Sequence, residues 1–74
     1  MNTKKIRFIR RKEVQVKTGL GASAIYAMMK QDKFPKAITL SERRVAWIES
    51  EVDQWIIERI ESHTKAIELL KGEL

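Results

Sequence analysis

The 74-residue chain has no cysteine, one proline, three glycines, one histidine and one tyrosine. Without cysteine there are no disulfides and no thiolate-bound metal. His63 alone cannot build a metal site. No apolar run approaches the roughly 20 residues that a membrane span needs. The N-terminal MNTKKIRFIRRK is basic but lacks the unbroken apolar centre of a signal peptide. These absences predict a soluble, intracellular protein with no cofactor. At this length it should hold one domain with one small core.

Charge is plentiful and unevenly placed. The net charge is +5. Residues 1–48 hold 12 Lys/Arg against Glu13, Asp32 and Glu42, a net of +9. Residues 49–74 hold Arg59, Lys65 and Lys71 against seven acids, a net of −4. Such segregation predicts a polyanion partner for the first two thirds of the chain.

Local patterns divide the chain into four pieces. IRFI, residues 6–9, reads as a short extended lead-in. RRKEVQVKT, residues 10–18, reads as a two-turn helix closed by Gly19 in a left-handed cap, with Val14 in the core and Ile9 and Leu20 packing its ends. A second helix is expected over 22–32, with Gly21 at its N-cap and Pro35 forbidding continuation. At 100° per residue, Ile25, Met28 and Met29 point to the core, while Ser23, Ala27 and Lys30 point away and Tyr26 lies on a flank.

KAITL and RVAWI read as strands of a hairpin over 36–48, turning at SERR. Ile38 and Leu40 should share one face, as should Val45 and Trp47. SEVD, residues 50–53, has the form of a capping box with Ser50 as N-cap. The helix beyond it should reach Leu70, with Val52, Trp55, Ile56 and Ile60 closing the core. Ile56, Ile60, His63, Ile67, Leu70 and Leu74 step by 4, 3, 4, 3 and 4, a heptad seam. It reads as a surface for another copy or a partner protein, or as a frayed amphipathic end.

The expected fold is mainly α with a small β-hairpin, a winged helix-turn-helix with a longer C-terminal helix. Residues 1–60 would form that domain and 61–74 an extension.

The bareness of the second helix suits close approach to DNA. A helix lying in the major groove needs short or flexible outward residues. Ser23 can exchange a hydrogen bond, Ala27 offers a methyl to a thymine methyl, and Lys30 reaches a guanine edge or a phosphate. Tyr26, Arg10, Arg11 and Lys36 are candidates for phosphates, and Arg7, Lys12 and Lys33 add charge nearby. Arg43 and Arg44 at the hairpin tip suit a minor groove.

Each feature also has a plainer reading. Tyr26 could simply pack with its hydroxyl free, and the basic run at 10–12 could be a solvated helix start. Trp47 and Trp55 read as core rather than as stacking platforms for single strands. No paired acids, Ser/His/Asp grouping or phosphate loop is present, so no enzyme is expected. The competing class is a protein-interaction adaptor that docks a partner protein through the acidic C-terminal helix.

RRKEVxxKTGL, SxIY, FPK and RxVAWxESEVDxWIxERI, in that order, resemble the AlpA family of phage-type regulators over about residues 6–60. The resemblance implies a winged helix related to excisionases and MerR-like domains. It implies a bacterial, nucleoid-associated protein that activates an integrase gene or directs excision at attachment sites. Ser23 and Tyr26 match the family's recognition-helix motif, and Arg43 its wing arginine. Gly21 and Ala22 stand where Ser-Arg is common in the family, and Ala27 where a basic residue is.

Overall fold

The computed structural model describes residues 6–72. In chain order the elements are β1 (Phe8–Ile9), α1 (Arg11–Thr18), α2 (Ala22–Lys30), β2 (Ile38–Ser41), β3 (Arg44–Ile48) and α3 (Glu49–Gly72). The chain is mainly helical, with one three-stranded antiparallel sheet ordered β1-β3-β2. Among the described residues no helix is long and apolar enough to cross a membrane.

α1 ends as its sequence requires. Gly19 adopts φ 77°, and its N–H donates to the Gln15 carbonyl at 2.7 Å. A Cβ there would meet nothing within 4 Å, so the backbone angle alone demands glycine. The Thr18 hydroxyl donates to the Val14 carbonyl at 2.8 Å and accepts the Leu20 N–H at 3.2 Å. The chain therefore turns into α2 within residues 19–21.

α2 stops at Lys30, two residues short of the expected end. Asp32 takes φ 59°, a conformation that Asp tolerates better than most side chains. Its N–H bonds to the Met29 carbonyl and the Lys33 N–H to the Met28 carbonyl at 2.8 Å, a Schellman closure without glycine.

Two features of the sheet differ from the sequence expectation. The lead-in is a strand: Phe8 pairs with Ile48 and Ile9 with Trp47, extended by the Glu49 N–H donating to the Arg7 carbonyl at 2.8 Å. With a neighbour on each side, β3 is central, and consecutive Ala46 and Trp47 are both fully buried. The hairpin is also irregular. Ile38 pairs with Ala46 and Thr39 with Val45, then the register shifts so that Ser41 meets Arg44. The bulge takes up Leu40, and Ile38 and Leu40 both stay exposed.

α3 starts at Glu49, directly after β3, so Ser50 lies inside the first turn and the capping box does not form. The acids of that turn serve elsewhere. The Glu49 carboxylate accepts Arg7 Nε at 3.2 Å and Lys17 Nζ at 3.0 Å, and Asp53 accepts Lys17 Nζ at 2.9 Å. The core gathers Ile9, Val14, Ile25, Phe34, Trp47 and Val52. Both indoles donate to a nearby carbonyl, Trp47 Nε1 to Pro35 at 3.1 Å and Trp55 Nε1 to Lys33 at 2.8 Å. They pin the 33–35 segment between β3 and α3. The core closes at Ile56; Ile60, expected inside, is 58% exposed because α3 has by then run past the sheet.

Candidate nucleic-acid interface

α2 presents the face its spacing predicts. Ile25 is fully buried, Met28 and Met29 are half-buried against the core, and Ser23, Ala27 and Lys30 are exposed. Tyr26 is 40% exposed, with its ring tilted at 55° to Trp47 and centroids 6.3 Å apart. It thus packs and still offers part of its ring to solvent, so the two readings of this residue are compatible.

A shallow depression of about 670 Å³ lies along this face, lined by Ala22, Ser23, Tyr26, Ala27, Met29, Lys30 and Lys36. Five of the residues singled out from sequence therefore meet in one place. Lys36 joins them from the loop beyond Pro35, whose carbonyl the Trp47 indole holds. Its ammonium pairs with Asp32 at 2.9 Å, but both side chains are largely exposed, so a phosphate could replace the carboxylate at little cost. Ala22 also borders this surface, as does Met29, which packs against the core as its spacing predicts and still reaches the edge of the depression. The spacing 22, 26, 29, a ridge beside the outward face, is the signal that would have found them.

The remaining candidates do not line the depression. Arg10 is the N-cap of α1 and Arg11 its first residue; both are exposed. Arg43 lies in the hairpin turn and Arg44 opens β3 opposite Ser41, both exposed. None of these four forms an ion pair among the described residues.

Arg7 is different. Its guanidinium donates to Glu13 at 2.6 Å and to Glu49 at 3.2 Å. The hydrogen bond to Glu13, helped by the charges of Glu13 and Glu49, holds its pKa above the ordinary arginine value. Lys17 is raised likewise, first by its hydrogen bond to Asp53 and then by that to Glu49. These two cations brace β1 and α1 against α3. Arg7, counted from sequence among the cations around α2, is committed internally.

A second groove, of about 830 Å³, runs between the 32–35 segment and α3. Its walls carry Asp32, Glu51 and Glu58 against Lys33 and Arg59, with the Arg59 guanidinium 4.9 Å over the Trp55 ring. With mixed charge and a tryptophan already covered, it offers no stacking platform for bases.

Comparison with known proteins gives the family. The family model described as "Prophage CP4-57 regulatory protein (AlpA)" matches residues 7–60. The "Uncharacterized protein ORF88" of Enterobacteria phage P4 is 41% identical over 54 residues, 73% of this chain, which spans only 61% of that protein's length. The "DNA-binding transcriptional activator AlpA" of Escherichia coli (strain K12) is 33% identical over 64 residues, covering 78% of this chain and 91% of that protein. The match spans β1 through the core-closing turns of α3, and on it this chain belongs to the AlpA family of prophage regulatory proteins.

Proposed function

We propose that this chain is a duplex-DNA-binding regulator of a prophage or genomic island, acting in the bacterial cytoplasm. The observation that carries the reading is the outward face of α2: small, exposed and ringed by Lys30, Lys36 and Tyr26. α1, the 19–21 turn and α2 act as a helix-turn-helix, β2–β3 as a wing, and residues 1–60 as the DNA-binding unit. Ser23, Ala27 and Lys30 face base edges in the major groove, where short or flexible outward side chains let the helix approach closely. Tyr26, Arg10, Arg11 and Lys36 hold phosphates, which fix register without reading sequence. Arg43 and Arg44 enter or flank the minor groove. The relation to an Escherichia coli protein named as a DNA-binding transcriptional activator supports the same assignment.

The role is transcriptional activation, excision of the element as a recombination directionality factor, or both, since one docking surface serves either. Docking of an integrase or polymerase through the acidic C-terminal helix is the less supported class. Glu49 and Asp53, two of its acids, are occupied by Arg7 and Lys17.

A gel shift tests the reading. If five or six cations meet phosphate, log K for duplex falls against log salt with a slope of about −5. Ala27→Glu places a carboxylate on the groove-facing side and should abolish retardation. Ala27 is exposed, so the far-UV spectrum should not change. Retention of binding by this variant, or no retardation of any duplex at low salt, counts against the proposal. Footprinting over an attachment site and an integrase promoter then separates excision from activation.

A further inference from the structure

Past the core, α3 carries an aliphatic stripe that none of the described residues covers. Ile57, Ile60, Ile67 and Leu70 are 45%, 58%, 39% and 66% exposed. Ile60, His63, Ile67 and Leu70 continue, at spacings of 3, 4 and 3, the same helix face on which Val52 and Ile56 close the core. Every residue from Ile57 to Gly72 is exposed, a stretch that rises for about 24 Å. The family match ends at Ile60, so the resemblance does not account for the stripe.

We propose that residues 57–72 are a dimerisation element, in which two copies of this chain pair their α3 extensions as an antiparallel two-helix coiled coil. Charge selects the occupant. Residues 57–72 hold Glu58, Glu61 and Glu68 against Arg59, Lys65 and Lys71, no net charge. This segment attracts neither a strongly acidic nor a strongly basic partner and does not repel its own copy, while its apolar seam is self-complementary. Charge also selects the direction. Residues 1–48 carry a net of +9, and antiparallel pairing sets these basic bodies at opposite ends of the pair instead of side by side. The same arrangement sets each His63 against an aliphatic neighbour of the partner helix, where parallel pairing would stack imidazole on imidazole.

The interface is short. A seam of this length buries on the order of 500 Å² per copy, against roughly 800 Å² in a standard stable interface. The pairing is therefore reversible and concentration-dependent. It needs no DNA, so its failure and that of the DNA-binding reading are told apart directly.

Sedimentation equilibrium of the full chain without DNA tests it. The apparent mass should rise from the 8.7 kDa monomer towards twice that value as concentration approaches about 1 mM. Ile60→Glu with Leu70→Glu should hold the chain monomeric. Both side chains lie outside the core, so unchanged far-UV and tryptophan spectra confirm that folding is intact. His63→Leu, which replaces the one polar side chain of the seam, should tighten pairing roughly ten-fold. Because the chain has no cysteine, oxidising a mixture of Ile60→Cys and Leu70→Cys chains reads direction: mixed disulfides should exceed those between two Ile60→Cys chains. A monomer throughout, or a dimer indifferent to the double Glu variant, overturns the proposal. An excess of Ile60→Cys homodimers overturns the antiparallel arrangement.

Discussion

At the scale of single residues, two positions show how backbone and charge each hold the helix pair in place. Gly19 and Gly21 flank the turn between α1 and α2 but differ in what they require. Gly19 sits at φ 77° in open space, so Gly19→Ala meets strain without a clash and should cost about 1 kcal/mol in urea unfolding. Gly21 has φ −82° and no side-chain cap, so Gly21→Ser adds a cap oxygen without strain and should be neutral or stabilising by a few tenths of a kcal/mol. Equal losses at the two sites would mean that the turn tolerates no side chain for a reason other than φ. Lys17 supplies the electrostatic case. Its folded pKa is raised by Asp53 and Glu49 above the ordinary 10.5. Its contribution is thus fully present below that ordinary value and lost as pH rises through the higher folded one. The stability difference between the native chain and Lys17→Met should be flat from neutral pH to about pH 10 and shrink beyond it. A difference that persists unchanged at higher pH would assign the effect to packing of the lysine stem.

At the scale of elements, what could be read from sequence was whatever depends on neighbours a few positions away. α1, its left-handed stop and the outward triad of α2 follow from local spacing and one glycine, and they stand where expected. β1 is legible only as an extended lead-in, because so short a segment does not show which strand it pairs with. It is a strand only because β3, nearly forty positions later, offers a free edge. α2 ends two residues before its periodicity suggests, because Asp32 does the work usually given to glycine and periodicity alone runs through it. The Ser50 cap failed for a tertiary reason: β1 and α1 bring Arg7 and Lys17 to Glu49 and Asp53. The candidate site divides in the same way. Ser23, Ala27 and Lys30 were legible from helical geometry. The arrival of Lys36 beside them depends on a bond between Trp47 and Pro35 that no local pattern encodes, and the withdrawal of Arg7 on acids contributed by two other elements.

At the scale of the whole molecule, the issue is which cations can meet a polyanion, and net charge is a poor guide to it. The first 48 residues hold 12 Lys/Arg, but Arg7 and Lys17 are each held between two carboxylates. A cation held between two protein carboxylates, unlike Lys36 with its single exposed partner, releases no phosphate counterion while both pairs persist, so it adds nothing to the salt dependence of binding. Arg43 and Arg44, exposed at the hairpin and unpaired among the described residues, are in the opposite condition. The two classes therefore separate in one measurement. Replacing both hairpin arginines, Arg43 and Arg44, by Ala should weaken binding to all duplexes alike and flatten the log K against log salt line by about two. Arg7→Ala should leave the slope unchanged, even where it lowers thermal stability by loosening β1 from α3. If Arg7→Ala flattens the line as well, its ion pairs exchange for phosphate on binding, and the brace between β1 and α3 is also part of the DNA-contacting surface. If neither substitution moves it, the hairpin tip does not reach the duplex.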